Sequence, residues 1–299
     1  MSTDPFHPDL EGVARWLPRS PVNRHTLPVI RFLSGLSGRS TAKDVRVEIV
    51  GPSTVRLHRP PGPGPSPALL WIHGGGYVIG TAAQDDALCR HFADTLGIVV
   101  AAVDYRLAPE SPFPAPLDDC YRTLTWLTDQ PEVDASRIAV GGASAGGGLA
   151  AALALMARDR GEVPLALQLL AYPMLDDRTA TRTDVDERPF RLWNNKSNRF
   201  GWQSYTGLPP GSPGVTGLAA PARSDDLTRL PPAWIGVGTL DLFHGEDLAY
   251  AARLERAGGD CTVVEVEGAF HGFDLIRPKA GVSRAFRQSQ GADLAAALG

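Results

Sequence analysis

The sequence predicts an α/β fold with a mostly parallel central sheet, and three observations predict it. Short apolar runs rich in β-branched residues recur at 68–72, 98–103, 138–140, 165–171 and 233–237, with a less pure run at 262–266. Helical stretches fall between them, at about 83–96, 116–129, 145–158 and 246–257, and a last one spans about 282–298. At the front, residues 44–50 alternate instead, with Val45, Val47 and Ile49 set against Arg46 and Glu48. Continuous apolar runs suit strands covered on both faces, as in a parallel sheet. Helices between such strands supply the crossovers that parallel pairing needs.

The alternating segment 44–50 reads as a half-exposed strand. Residues 54–58 supply its hairpin partner across Gly51-Pro52-Ser53, so these two strands form an antiparallel edge. Residues 60–67 are dominated by Pro and Gly and read as loop. The run 165–171 is broken once, by Gln168. Two segments do not fit the alternation. One is 1–39, with Trp16, Phe32 and several prolines; the other is 175–230, rich in Arg, Asp, Pro and Gly. The second carries Phe190, Trp193, Phe200, Trp202 and Tyr205. A long excursion inside a compact α/β domain usually serves as a lid or binding element.

Composition narrows the function. The 299 residues are 43% hydrophobic and 21% charged, with a formal net charge of −4 and no run of like charges. A nucleic-acid partner would want a basic face, which is missing here. No apolar segment approaches the length of a membrane span, and residues 1–10 show no secretory pattern. Cys89, Cys120 and Cys261 are widely spaced and odd in number, so neither a disulfide framework nor a metal site is expected. Buried free thiols in a reducing compartment are the default, which makes a cytoplasmic location the expectation.

The most informative stretch is Ile138-Ala139-Val140-Gly141-Gly142-Ala143-Ser144-Ala145-Gly146-Gly147. A strand runs into Gly-Ala-Ser-Ala-Gly and a helix of Ala and Leu follows, the G-x-S-x-G turn that presents a nucleophilic serine. Small neighbours let the chain turn tightly, and the hydroxyl meets the favourable end of the helix dipole. The competing reading is a glycine-rich turn with Ser144 as a helix N-cap. After the run 68–72 comes His73-Gly74-Gly75-Gly76-Tyr77. Acyl transfer builds an oxyanion, which wants preorganised N–H donors. The candidates are the amides of Gly74, Gly75 and Ala145. A flexible turn or phosphate loop is the alternative, although no Lys follows the glycines.

A serine hydroxyl needs a base at neutral pH. Of the seven histidines, His271 follows the last strand within Gly268-Ala269-Phe270-His271-Gly272-Phe273. His73 reads as structural. His7, His25 and His58 lie outside the strand-to-helix loops, His91 lies on a helix, and His244 reads as cap or cleft wall. Asp241 follows the run 233–237 at the same sheet edge as Ser144, and can orient the imidazole. Glu246 and Asp247 are rivals that fall within a helix.

With these residues in place, the chain resembles the bacterial hormone-sensitive-lipase family of α/β-hydrolase esterases. Four motifs carry the likeness: His73-Gly74-Gly75-Gly76; Tyr105-Arg106-Leu107-Ala108-Pro109-Glu110 leading to Pro112-Phe113-Pro114; Gly142-Ala143-Ser144-Ala145-Gly146-Gly147; and Phe270-His271-Gly272-Phe273. The resemblance implies a hydrolase core of about eight strands in segments 40–174 and 231–299, with a helical cap built from 1–39 and 175–230. It implies a Ser144–His271–Asp241 triad that cleaves short- to medium-chain carboxylic esters without metal or cofactor. Segment 104–114 would brace the core, with Arg106 and Glu110 as a buried ion pair. Tyr77, Trp193, Phe200, Trp202 and Phe273 would line the substrate pocket. The expected partner is a small-molecule ester, with no nucleic acid and no membrane span, and a homodimer stays an open option. An amidase, lactonase or carbamate hydrolase would share the triad, and a non-catalytic ligand-binding member would share the fold. One departure stands out: after Asp241 the family often carries a second carboxylate, where this chain has Gly245.

Overall fold

A computed structural model describes residues 5–37, 45–62 and 64–299. Residues 1–4 and 38–39 of the expected N-terminal cap segment, the first residue of the expected 44–50 strand and residue 63 of the expected loop lie outside the described residues.

The chain runs α1 (Pro8–Ala14), α2 (Leu27–Ser37), β1 (Arg46–Val50), β2 (Ser53–His58), β3 (Ser66–Ile72), α3 (Asp86–Leu96) and β4 (Val99–Asp104). It continues through α4 (Ala115–Thr128), β5 (Val133–Ala143), α5 (Ala145–Arg160), β6 (Leu167–Ala171), α6 (Asn195–Thr206) and β7 (Ala233–Leu240). α7 (His244–Arg256), β8 (Cys261–Phe270), α8 (Phe273–Ile276) and α9 (Gly281–Leu298) complete it. The eight strands form one sheet in the order β1-β2-β4-β3-β5-β6-β7-β8. β1 and β2 pair antiparallel, as do β2 and β4, and the other pairs are parallel.

The continuous apolar runs are explained by burial on both faces. In β3, Leu70 and Ile72 enter one core with Val140, Leu170 and Ile235, while Leu69 and Trp71 enter the opposite core with Val100, Ala139 and Trp234. Successive side chains point to opposite faces, so a strand between two helical layers needs apolar residues at every position. Gln168, which breaks the run in β6, is fully buried and donates from Nε2 to the Pro231 carbonyl at 3.1 Å. β1 departs from a simple half-buried pattern: it is the edge strand, and its apolar Val47 and Ile49 are 45% and 81% exposed.

The Arg106–Glu110 pairing expected from the sequence does not form. Arg106 instead holds the fully buried Asp119 of α4, donating from Nε to Oδ2 and from Nη2 to Oδ1, both at 2.8 Å. Glu110 is 65% exposed and pairs with Arg31 of α2 at 2.8 Å. Asp119 wins because α4 brings it, fully buried, into bidentate range, and a buried carboxylate needs a partner more than an exposed one does.

The segment between β6 and β7 contains α6 and short 3₁₀ turns at Asp177–Thr181 and Pro221–Arg223. It meets the N-terminal segment directly. Leu192 N–H donates to the Pro18 carbonyl at 2.8 Å, and Ser197 Oγ donates to the Val22 carbonyl at 2.9 Å. Among the described residues no helix is long and apolar enough to cross a membrane.

Candidate active site

Ser144 sits between β5 and α5 with φ 56° and ψ −120°, a positive φ that a non-glycine residue rarely adopts. Such a conformation costs about 1–3 kcal/mol and persists only where its surroundings enforce it. The enforcement is visible. Ser144 N–H donates to the Ala171 carbonyl at 2.9 Å, and the Ser144 carbonyl accepts from Gly148 N–H at 3.0 Å and Met174 N–H at 2.9 Å. The neighbouring glycines are a packing requirement. A Cβ on Gly142 would lie 2.5 Å from the Ile72 carbonyl oxygen, and one on Gly146 only 2.0 Å from it.

His271 follows β8 and Asp241 follows β7, so parallel strands deliver both to the edge where β5 delivers Ser144. His271 Nε2 lies 2.9 Å from Ser144 Oγ, and His271 Nδ1 lies 2.8 Å from Asp241 Oδ2. Asp241 Oδ1 accepts the Phe243 N–H at 3.0 Å, which fixes the carboxylate. All three side chains are buried. The imidazole is held by rings: Tyr172 and Phe243 meet it edge-on at 5.0 and 5.3 Å, and Trp193 lies 6.3 Å away. With the proton on Nδ1, the imidazole donates to Asp241 and leaves Nε2 to accept the Ser144 hydroxyl. A hydroxyl so placed can lose its proton as it attacks.

The glycine loop after β3 runs against this serine. A Cβ on Gly74 would stand 3.3 Å from Ser144 Cβ and 2.9 Å from the Ala143 carbonyl oxygen. Gly75, at φ 131°, accepts at its carbonyl from Val78 and Ile79 N–H at 3.1 and 3.0 Å. His73 braces the loop. Its Nδ1 lies 2.8 Å from the Gly74 carbonyl oxygen, its ring stacks on Tyr105 at 4.3 Å, and Tyr105 Oη donates to the His73 carbonyl at 3.0 Å. Burial lowers the His73 pKa against the pull of nearby Asp104, so the ring stays neutral. A cavity of about 250 Å³ opens onto Ser144, His271, Gly74 and Gly75, with Leu192 and Trp193 among its other walls.

Comparison with known proteins identifies the family. A family profile described as alpha/beta hydrolase fold matches residues 69–275. The chain belongs to the α/β-hydrolase family. It is 33% identical to the esterase LipI of Mycobacterium tuberculosis over 269 residues, covering 87% of this chain and 78% of that one. It is 35% identical to an ethyl acetate hydrolase of Pseudomonas putida over 226 residues, covering 73% and 70%. A solved bacterial heroin esterase superposes with a TM-score of 0.89 at 37% identity, covering 99% of this chain and 98% of that one. The hormone-sensitive-lipase resemblance is thereby upheld.

In this α/β-hydrolase the expected pocket residues separate. Trp193 lines the cavity. Tyr77, Trp202 and Phe273 are instead fully buried core residues. Tyr77 stacks on Tyr205 at 3.9 Å and donates to the Met174 carbonyl at 3.2 Å; Trp202 packs 5.4 Å from Tyr77, and Phe273 meets Phe286 at 5.1 Å. Phe200 packs partly buried against the same core as Tyr77. Tyr77 and Trp202 thereby join the glycine loop after β3 to the β6–β7 segment, while Phe273 joins α8 to α9 in the opposite core. Pro21, Val22, Leu192, Leu275 and Ile276 line the cavity without having been singled out by the sequence. They are ordinary apolar residues whose role depends on tertiary placement alone.

Glu246 and Asp247, the rival acids, face elsewhere. Glu246 accepts the N–H groups of Leu175 at 2.7 Å and Asp176 at 3.0 Å, where the β6–β7 segment begins. Burial pushes its pKa up to about 8, and burial likewise raises Asp247 well above the ordinary carboxylate range. His244 pairs with Glu265 at 2.6 Å and does not line the Ser144 cavity. A Cβ on Gly245 would approach Arg182, which pairs instead with Asp184 at 2.8 Å. Burial pushes the thiols of Cys89, Cys120 and Cys261 up, so none is a ready nucleophile. No group of three or more potential metal ligands occurs among the described residues.

Proposed function

We propose that the protein hydrolyses carboxylic esters of short to medium acyl chain through an acyl-enzyme on Ser144. The observation that carries this is the unbroken chain of contacts from Ser144 Oγ to His271 at 2.9 Å and from His271 to Asp241 at 2.8 Å. In the first step Ser144 Oγ attacks the ester carbonyl while His271 Nε2 takes its proton. Asp241 holds the imidazole in the productive tautomer and offsets its charge. The amides of Gly74, Gly75 and Ala145 stabilise the oxyanion. His271 then gives the proton to the departing alcohol. Water repeats the sequence on the acyl-enzyme and releases the acid.

The N-terminal segment and the β6–β7 segment act as the cap in this reading. Support comes from Pro21 and Val22 of one and Leu192 and Trp193 of the other, which share the cavity with Ser144. A cavity of about 250 Å³ suits a small acyl or alcohol group, and one relative is named for ethyl acetate. Replacing Ser144 by Ala tests the reading. Turnover of p-nitrophenyl butyrate should fall by at least about 10⁴-fold, with the fold and thermal transition retained. Undiminished turnover would reject it.

A further inference from the structure

A second cavity, of about 640 Å³, adjoins the first, and Gln84 and Leu275 line both. Its walls come from the 3₁₀ turn Ala82–Asp85 and α3, from α8 and the turn that follows it, and from α9. Leu88, Leu275 and Pro278 give it apolar surface, while Lys279, Arg284 and Arg287 give it cations. Arg284 and Arg287 donate to the backbone carbonyls of Lys279 and Pro278. The carboxylate of Asp9, bound to Val282 N–H, lies near Arg284 but outside the cavity lining.

Two carboxyl groups also line it. Asp274 is buried and accepts the Tyr172 hydroxyl at 2.8 Å. Asp85 is 1% exposed, and its Oδ2 accepts the Trp71 indole N–H at 2.9 Å. Its Oδ1 is buried with no hydrogen-bond partner among the described residues. A buried polar atom without a partner is costly. A ligand hydroxyl reaching it would recover that cost.

We propose that this second cavity binds short aliphatic hydroxycarboxylates, with the carboxylate held by Lys279, Arg284 and Arg287, the chain against Leu88 and Leu275, and the hydroxyl donated to Asp85 Oδ1. The three features are complementary to one ligand class. A simple fatty acid lacks the group for Asp85, and a diol lacks the charge for the arginines. The site is distinct from the Ser144 cavity and does not require that Ser144 be catalytic.

Isothermal titration of the full chain with sodium 6-hydroxyhexanoate, hexanoate and 1,6-hexanediol at pH 7 tests it. The hydroxycarboxylate should bind saturably, and the two controls at least tenfold more weakly. Arg287→Gln should weaken binding at least tenfold. Ala87→Phe, which fills the cavity from an exposed position of α3, should abolish binding without removing any buried atom. Pretreatment with a fluorophosphonate should leave binding unchanged. The proposal is overturned by no saturable binding, by equal binding of hexanoate or hexanediol, by full binding in Ala87→Phe, or by competition with the fluorophosphonate. Loss of ester turnover in Ser144→Ala bears only on the hydrolase reading, so the two can fail separately.

Discussion

Gly146 stands so close to Ile72 that a Cβ at its position would lie 2.0 Å from the Ile72 carbonyl oxygen. β3, whose C-terminal end leads into the glycine loop, and α5, which begins beside Ser144, therefore touch backbone to backbone. That contact constrains the spacing between Ser144 and the glycine loop that follows β3.

Gly146→Ala should accordingly disturb both stability and turnover. Overpacking of this kind costs about 1–3 kcal/mol, seen as a lowered Tm. The ester kcat should fall more than KM rises, because the displaced groups would act on the transition state. A variant with unchanged Tm and kcat would show that the contact is not constraining.

Glu246 makes stability depend on pH. Its folded pKa is pushed from 4.5 to about 8 by burial. Below about pH 4.5 the group is protonated in both states. Between there and about pH 8 only the unfolded chain ionises, so the folded state binds more protons and stability falls as pH rises. The slope from this one group is at most about 1.4 kcal/mol per pH unit. Glu246→Gln keeps an acceptor for Leu175 and Asp176 and cannot ionise. Its stability relative to the parent should therefore grow from pH 5 to pH 8 in urea unfolding. A pH-independent difference would contradict the assignment.

Asp241→Asn preserves shape while removing the charge that orients His271. In the proposed triad kcat should drop by about 10⁴-fold, with little change in Tm. A loss under tenfold would mean that Asp241 is a structural neighbour of His271 only.

Much of this was legible from the chain itself, and the reasons differ by residue. Strands at 68–72 and 233–237 were readable because burial on two faces leaves no polar position. Ser144, Asp241 and His271 were readable as a group because each follows a strand of one parallel sheet, and such strands deliver their ends to a common edge. The partner of Arg106 was not. Asp119 reaches it only through the packing of α4, and no local pattern distinguishes it from Glu110. The burial of Tyr77, Trp202 and Phe273 was hidden for a related reason: an aromatic ring next to a glycine-rich turn or in the β6–β7 segment can fill core or line a cleft, and the sequence is the same in either case. Asp85 and Asp274 were invisible because burial, which raises both, is a property of the fold.

Mass spectrometry of the fluorophosphonate-treated protein shows whether Ser144 is the nucleophile. One adduct should form per chain, map to Ser144, and remove ester turnover in proportion to its extent. Turnover that persists with Ser144 fully modified, or an inactivating adduct on another residue, would show that the nucleophile lies elsewhere.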